Sequence, residues 1–216
     1  MIDLYCERTA SGLWAEPLNA LTNLAFLVAA WLCWQRAAVT HKGYVSIYLL
    51  IGLAAAVGIG SGLFHTFATR WAMWCDVIPI LIFQLVFIGC YFRFVQGYGY
   101  VRLGVIYASF FGLAYLCGQT PELLNGSLTY APAWVMLALA GVSHYLTNKP
   151  ARHTLLLATG VFMLSLTFRS IDMMVCEEIT IGSHFLWHLF NALLIYLVVR
   201  VYMDSLVENV PSSAAR

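Results

Sequence analysis

Residues 44–92 read YVSIYLLIGLAAAVGIGSGLFHTFATRWAMWCDVIPILIFQLVFIGCYF. A single helix over this run would far exceed one bilayer crossing, which takes about 20 apolar residues. Only Thr66, Thr69 and Arg70 interrupt it. A turn at those residues makes two antiparallel spans, 44–67 and 71–92. It also sets GSGLFH, at the end of the first, beside WCD, near the start of the second.

The rest of the chain reads the same way. It is 62% hydrophobic and only 10% charged, with a mean hydropathy of +0.81. A soluble domain is nearer half apolar and a quarter charged, so the solvent here is a bilayer. Further spans fall at 17–34, 100–117, 128–146, 153–175 and 181–203. Charged and helix-breaking residues separate them: Arg36, His41, Lys42 and Gly43; Arg93, Gln96, Gly97 and Gly99; Lys149, Pro150 and Arg152. The expected fold is an all-α integral membrane protein with seven transmembrane helices in one domain, 1–216. A polar, acidic N-terminal segment, 1–16, precedes the first span, and a tail, 204–216, follows the last. Met1 to Glu16 lacks the basic start of a cleavable signal. No phosphate-binding glycine loop, repeat or basic patch points to nucleic acid, and nothing points to a protein partner.

Basic residues of short loops are retained in the cytoplasm. Arg36, Lys42, Arg93, Arg102, Lys149 and Arg152 fall in the first, third and fifth loops, and Arg200 and Arg216 at the C-terminal end. The opposite face carries Arg8 and Arg70. The N-terminus is therefore expected outside and the C-terminus in the cytoplasm, which requires an odd number of spans. A bacterial inner membrane or an organelle membrane fits.

This topology brings five polar residues to the outer end of the bundle. His65 ends the second span, with Ser61 about 6 Å deeper at 1.5 Å per residue. Asp76 starts the third. His184 and His188, four apart in GSHFLWHLF, project from one helical face at the start of the seventh, as two ligands of one cation must. Ionisable residues within a bilayer are costly and mark function. Three imidazoles, a carboxylate and a hydroxyl are the parts of a zinc hydrolase, in which three imidazoles leave a coordination position open. Asp76 is expected to move the proton from water to the leaving group, and Ser61 to hydrogen-bond the developing oxyanion. His41, His144 and His153 lie toward the other face.

DLYCER, WAEPLNALTN, GSGLFH with WCD downstream, and GSHFLWHLF together resemble the alkaline ceramidase family, within the superfamily of seven-helix membrane hydrolases that includes adiponectin-receptor-type proteins. The resemblance implies zinc on His65, His184 and His188, assistance from Ser61 and Asp76, and an outside N-terminus. The implied substrate is a ceramide-like lipid amide, cleaved at its N-acyl bond to a fatty acid and a long-chain amine. A non-enzymatic receptor or sensor with a structural zinc site is the alternative. A transporter fits less well, because the ionisable residues cluster at one face and not at the midplane.

Asp3, Glu7 and Glu16 form an acidic group before the first span, the donor type that calcium selects, and the resemblance favours calcium, with Glu7 and Glu16 matching best. A solvated acidic tail is the other reading. Asn19 and Asn23 are expected to hydrogen-bond between helices. Of six cysteines, Cys6, Cys75, Cys117 and Cys176 all fall near the outer face, so the residues alone do not fix a pairing; the resemblance supports Cys6 with Cys176. Arg169 and Asp172, three apart near the end of the sixth span, are expected to form an ion pair.

Overall fold

The computed structural model describes residues 1–208, and among them there are helices, turns and loops but no strand. Seven helices carry the fold. α1 spans Pro17–Thr40 and is interrupted at Asn23; α2 is Val45–Phe67 and α3 Arg70–Val95. The last turn of α3, Tyr91–Val95, is π-helical. α4 is Tyr100–Cys117, α5 Ala131–Leu146, α6 Thr154–Ile171 and α7 His184–Glu208. The turn between α2 and α3 is at residues 68–69, with Ala68 in the left-handed conformation that closes α2.

Six of the seven are long and apolar enough to cross a membrane. The exception is α5, whose 16 residues span about 24 Å at 1.5 Å per residue. The expected span 128–146 is divided: Ser127–Tyr130 forms a tighter 3₁₀ turn, and Pro132 starts the α-helix in its first turn. Other boundaries also moved. α1 runs six residues past the expected end because Arg36, read as a loop residue, stays helical and pairs with Asp204. α7 continues to Glu208 through what was read as the start of the tail; residues 209–216 of that tail lie outside the described residues. The break at Asn23 has a local cause, since its side-chain amide donates to Asn19 O at 2.8 Å, the acceptor its own backbone N–H would use.

α7 is the most buried helix and packs against α1, α2, α6 and the π-turn of α3. α2 lies against α1 and α3, α6 against α5, and α5 against α4. Leu49, Leu81, Val105 and Leu139 are exposed on the outside, a lipid-facing and not a water-facing surface. Lipid gives no hydrophobic drive to helix association, so small residues decide the close contacts. Gly58 lies against Phe26 and Asn23 of α1, and Gly60 against the backbone of α3. Where the helices do not close, a cavity remains, walled by α1, α2, α3, α5, α6 and α7.

Candidate metal centre

His65, in the last turn of α2, meets His184 and His188, from the first two turns of α7. One ring nitrogen from each lies within 4.8 Å of the others, and all three side chains are buried. Each ring also carries a buried nitrogen with no hydrogen-bond partner among the described residues: His65 Nε2, His184 Nδ1 and His188 Nε2. Orphaned buried polar atoms are rare because each costs the desolvation it does not recover. Three at one point, all neutral-nitrogen donors, fit a borderline-soft cation such as zinc.

The other ring nitrogens set the tautomers. His65 Nδ1 is 2.5 Å from Glu16 Oε2, so it donates to the carboxylate and leaves the Nε2 lone pair free. His188 Nδ1 is 2.9 Å from Thr22 Oγ1. The Thr22 hydroxyl hydrogen is taken by Leu18 O at 2.9 Å, so the ring N–H is the donor and Nε2 is again free. The His184 ring stacks on Tyr5, with centroids 3.7 Å apart. Glu16 is held in turn by Arg8 Nε at 2.5 Å and Asn19 Nδ2 at 3.2 Å, and Arg8 also donates to His65 O at 3.0 Å. Burial pushes the Glu16 carboxyl up, but the hydrogen bonds and charges of His65 and Arg8 outweigh it and hold the group below the usual carboxylate range. Such partners orient ligating histidines and raise their basicity.

Asp76 and Ser61 adjoin the cluster. Ser61 lies one turn before His65 on α2, and its hydroxyl faces the Asp76 carboxylate on α3; Asp76 Oδ1 has no hydrogen-bond partner among the described residues. Two residues bring these helices together. Pro79 lacks the N–H that would bond the Cys75 carbonyl, and its ring displaces that carbonyl. Gly60 receives it: a Cβ there would overlap Cys75 O and lie 2.6 Å from Cys75 C and 3.2 Å from Asp76 N. Ser61 also lines the cavity, as does His188, so the cluster stands at one end of that apolar space.

The ceramidase family model, whose description is Ceramidase, matches residues 3–213. The chain belongs to the ceramidase family. A search of curated proteins finds no match. The motifs that carried the resemblance in sequence are the ones that build this centre in the ceramidase-family chain: GSGLFH and WCD supply one side, GSHFLWHLF the other, and DLYCER the cover.

That cover is the part that residue-by-residue reading missed. Tyr5 and Thr22 had no assigned role, and Arg8 was counted only as a charge of the outer face. Cys6 and Cys176 are joined by a disulfide, with Cα atoms 5.5 Å apart; Cys33, Cys75, Cys90 and Cys117 are free. Asp172, fully buried, accepts from the backbone N–H groups of Cys6 at 3.0 Å, Ser183 at 2.7 Å and His184 at 2.9 Å. It therefore caps α7 and fixes the cover to it. Gly182, at φ +64, is needed beside it, because a Cβ there would lie 2.6 Å from Cys6 Cβ. The expected ion pair between Arg169 and Asp172 does not form. α6 ends at Ile171 and Asp172 turns toward α7, while Arg169 donates to Asn125 O at 2.5 Å and Ser127 Oγ at 3.1 Å and stacks on Tyr130 and Trp187.

Asp3, Glu7 and Glu16 are not brought together as one ligand set. Asp3 is exposed, Glu16 serves His65, and Glu7 accepts from the N–H groups of Leu18 and Asn19 at 2.7 and 2.8 Å, capping the start of α1. Asn19 and Asn23 both act within this segment. His41 Nε2 donates to Met203 O, and His144 joins Tyr91 and Pro150 O at the opposite end of the bundle.

Proposed function

We propose that this chain is a zinc-dependent intramembrane amidase that hydrolyses the N-acyl bond of ceramide-like lipids to a fatty acid and a long-chain amine. The observation that carries the reading is the convergence of three orphaned imidazole nitrogens beside Ser61 and Asp76, at the end of a largely apolar cavity. Membership of the ceramidase family supports the amide as the bond cleaved.

His65, His184 and His188 would hold the zinc, which when bound supplies a Lewis acid and lowers the pKa of its water toward 7. Asp76, with one oxygen free of partners, accepts a proton from the attacking water and returns it to the amide nitrogen, so that the amine departs neutral. Ser61 donates to the carbonyl oxygen as negative charge develops there. The cavity keeps the substrate's chain in hydrocarbon while its amide reaches the polar end.

We further propose seven crossings, with α5 completed by the preceding 3₁₀ turn, the N-terminus outside and the C-terminus cytoplasmic. The loop charges support this orientation. So does the Cys6–Cys176 bridge at the histidine end, since disulfides persist in oxidising compartments such as a periplasm or an organelle lumen. Calcium on Asp3, Glu7 and Glu16 is a separate proposal that rests on the donor type of these carboxylates; because each has its own surroundings here, it requires them to turn from their present partners toward one ion. A rise in melting temperature on calcium addition, lost on Glu7→Ala, tests it.

The decisive experiment compares wild type with Asp76→Asn and His188→Ala in detergent. Wild type should release fatty acid from a ceramide and carry about one zinc per chain, the count expected for one three-histidine site. Asp76→Asn should keep the metal and lose turnover, and His188→Ala should lose both. Full activity in Asp76→Asn would sink the proton-transfer role, and zinc without hydrolysis of any lipid amide would favour a receptor.

A further inference from the structure

Beyond Ser61 and His188, the cavity wall is almost wholly apolar, formed by residues such as Val57, Phe83, Phe87, Met136 and Ile195. Besides Tyr130, two side-chain amides break it. Gln84 faces the cavity from α3, and its amide has no hydrogen-bond partner among the described residues. Asn191 faces it from α7. The Asn191 Nδ2 donates to Ser165 Oγ at 2.8 Å and to Trp187 O at 3.0 Å. Both partners are acceptors, because the Ser165 hydroxyl hydrogen is itself spent on Trp187 O at 3.0 Å. The amide is therefore fixed in one orientation, with its Oδ1 left as a free acceptor.

Their positions along the helices set the depth. Asn191 lies three residues past His188, about 4.5 Å along the axis, and Gln84 eight residues past Asp76, about 12 Å. An alkyl chain lying here strips water from both amides and returns nothing, which disfavours it. A hydroxyl on the chain at the depth of either amide restores that amide's bonds, since a hydroxyl both donates and accepts.

We propose that Asn191 and Gln84 are hydroxyl-recognition positions at two successive depths of the cavity, and that the preferred substrate carries a hydroxyl on its acyl chain, a few carbons from the amide where Asn191 reads it or further along where Gln84 does. The inference deepens the amidase reading and rests on it. The acyl chain is the one concerned because it is bonded to the carbonyl that must reach the histidine end, from which the cavity continues; the amine half ends in the polar group that departs. Sites built to bond a substrate hydroxyl reject the analogue lacking it strongly.

The test uses the full-length protein and matched N-acyl lipids of one chain length. The acyl chain is plain, 2-hydroxylated, 3-hydroxylated or hydroxylated further along, and a plain acyl chain is also carried on a long-chain base with an added hydroxyl. Wild type should favour one hydroxyacyl lipid over the plain one by about tenfold or more in kcat/KM, a modest part of what such sites achieve. Asn191→Leu should remove a preference for a hydroxyl near the amide, and Gln84→Leu a preference for one further along, each by slowing the hydroxyacyl lipid and speeding the plain one. Gln84→Met keeps the side-chain length and should behave alike, so a folding defect in one variant does not decide the outcome. Equal rates on plain and hydroxyacyl lipids in wild type, or a preference that survives Gln84→Leu, Gln84→Met and Asn191→Leu, would overturn the proposal. A preference for the hydroxylated base alone would overturn the assignment to the acyl chain. Thermal stabilisation by the free plain and hydroxy fatty acids provides a readout without turnover. If no lipid is hydrolysed, the amidase reading fails, and a greater stabilisation by the hydroxy acid, lost in the Asn191 or Gln84 variants, still supports the proposal; equal stabilisation rejects it.

Discussion

Gly60→Ala tests whether the catalytic geometry depends on one backbone contact. The added methyl group would lie 2.6 Å from the Cys75 carbonyl carbon and overlap its oxygen. Carbon atoms rest about 3.5 Å apart or more, so α2 and α3 must part by about 1 Å. Neither obstacle is a flexible side chain: both are helix backbone, and Asp76 follows Cys75 directly. A misplacement of about 1 Å costs on the order of 100-fold in rate, and overpacking costs about 1–3 kcal/mol of stability. Gly52 is the control, on the same helix but with nothing within 4 Å of its Cβ position; Gly52→Ala should leave activity intact and stability equal or slightly higher. Ceramide hydrolysis, zinc content and melting temperature are measured for both. Gly60→Ala should retain most of its zinc, since His184 and His188 are on α7, while turnover falls. If it turns over and melts like wild type, the close approach of α2 and α3 is not what positions Asp76.

Two other perturbations have defined outcomes. Glu16→Gln leaves one accepting oxygen where His65 Nδ1 and Arg8 Nε use two, and leaves Arg8, whose side chain is 1% exposed, without its counter-charge. Zinc affinity by chelator competition should fall about 10- to 100-fold, and stability by about 3–5 kcal/mol; unchanged zinc affinity would remove Glu16 from the support of the site. Cys6→Ser opens a cross-link between residues 170 apart in sequence, and should lower stability by about 2–5 kcal/mol. The same loss should follow from reductant acting on wild type and be absent from the variant, and a reductant effect of equal size in both would show that the bridge is not its cause.

The membrane spans and the five central residues were legible because each is written locally. A bilayer sets the length of an apolar run whatever surrounds it, and the i, i+4 spacing of His184 and His188 fixes a shared face on any helix. The order Ser61, His65, turn, Asp76 needs only a tight reversal to bring these residues level. Boundaries were less legible where a long-range partner decides them. Arg36 looks like a loop charge until Asp204, 168 residues away, gives it reason to stay helical. Arg169 and Asp172 have the spacing of an intrahelical pair, but only if the helix continues. It stops between them, and the backbone N–H groups at the start of α7 outcompete the guanidinium for the carboxylate.

The N-terminal cover was the least legible part, and the reason lies in how it works. Within DLYCER each consecutive residue from Tyr5 to Arg8 has a different distant partner: Tyr5 stacks on His184, Cys6 bonds Cys176 and Asp172, Glu7 caps α1, and Arg8 holds Glu16 and His65. No periodicity marks such a segment, because it is neither a helix face nor a strand face, and its acidic residues resemble a solvated tail or a cation site equally well. Its charges are instead spent inside the protein. Glu16 belongs to the same arrangement: its carboxylate orients His65 and is neutralised by Arg8 from the cover. The three-histidine cluster is thus braced from two sides, by the helix contact at Gly60 and by the segment that precedes the first span, and removing that segment would take away supports from His65 and His184 at once.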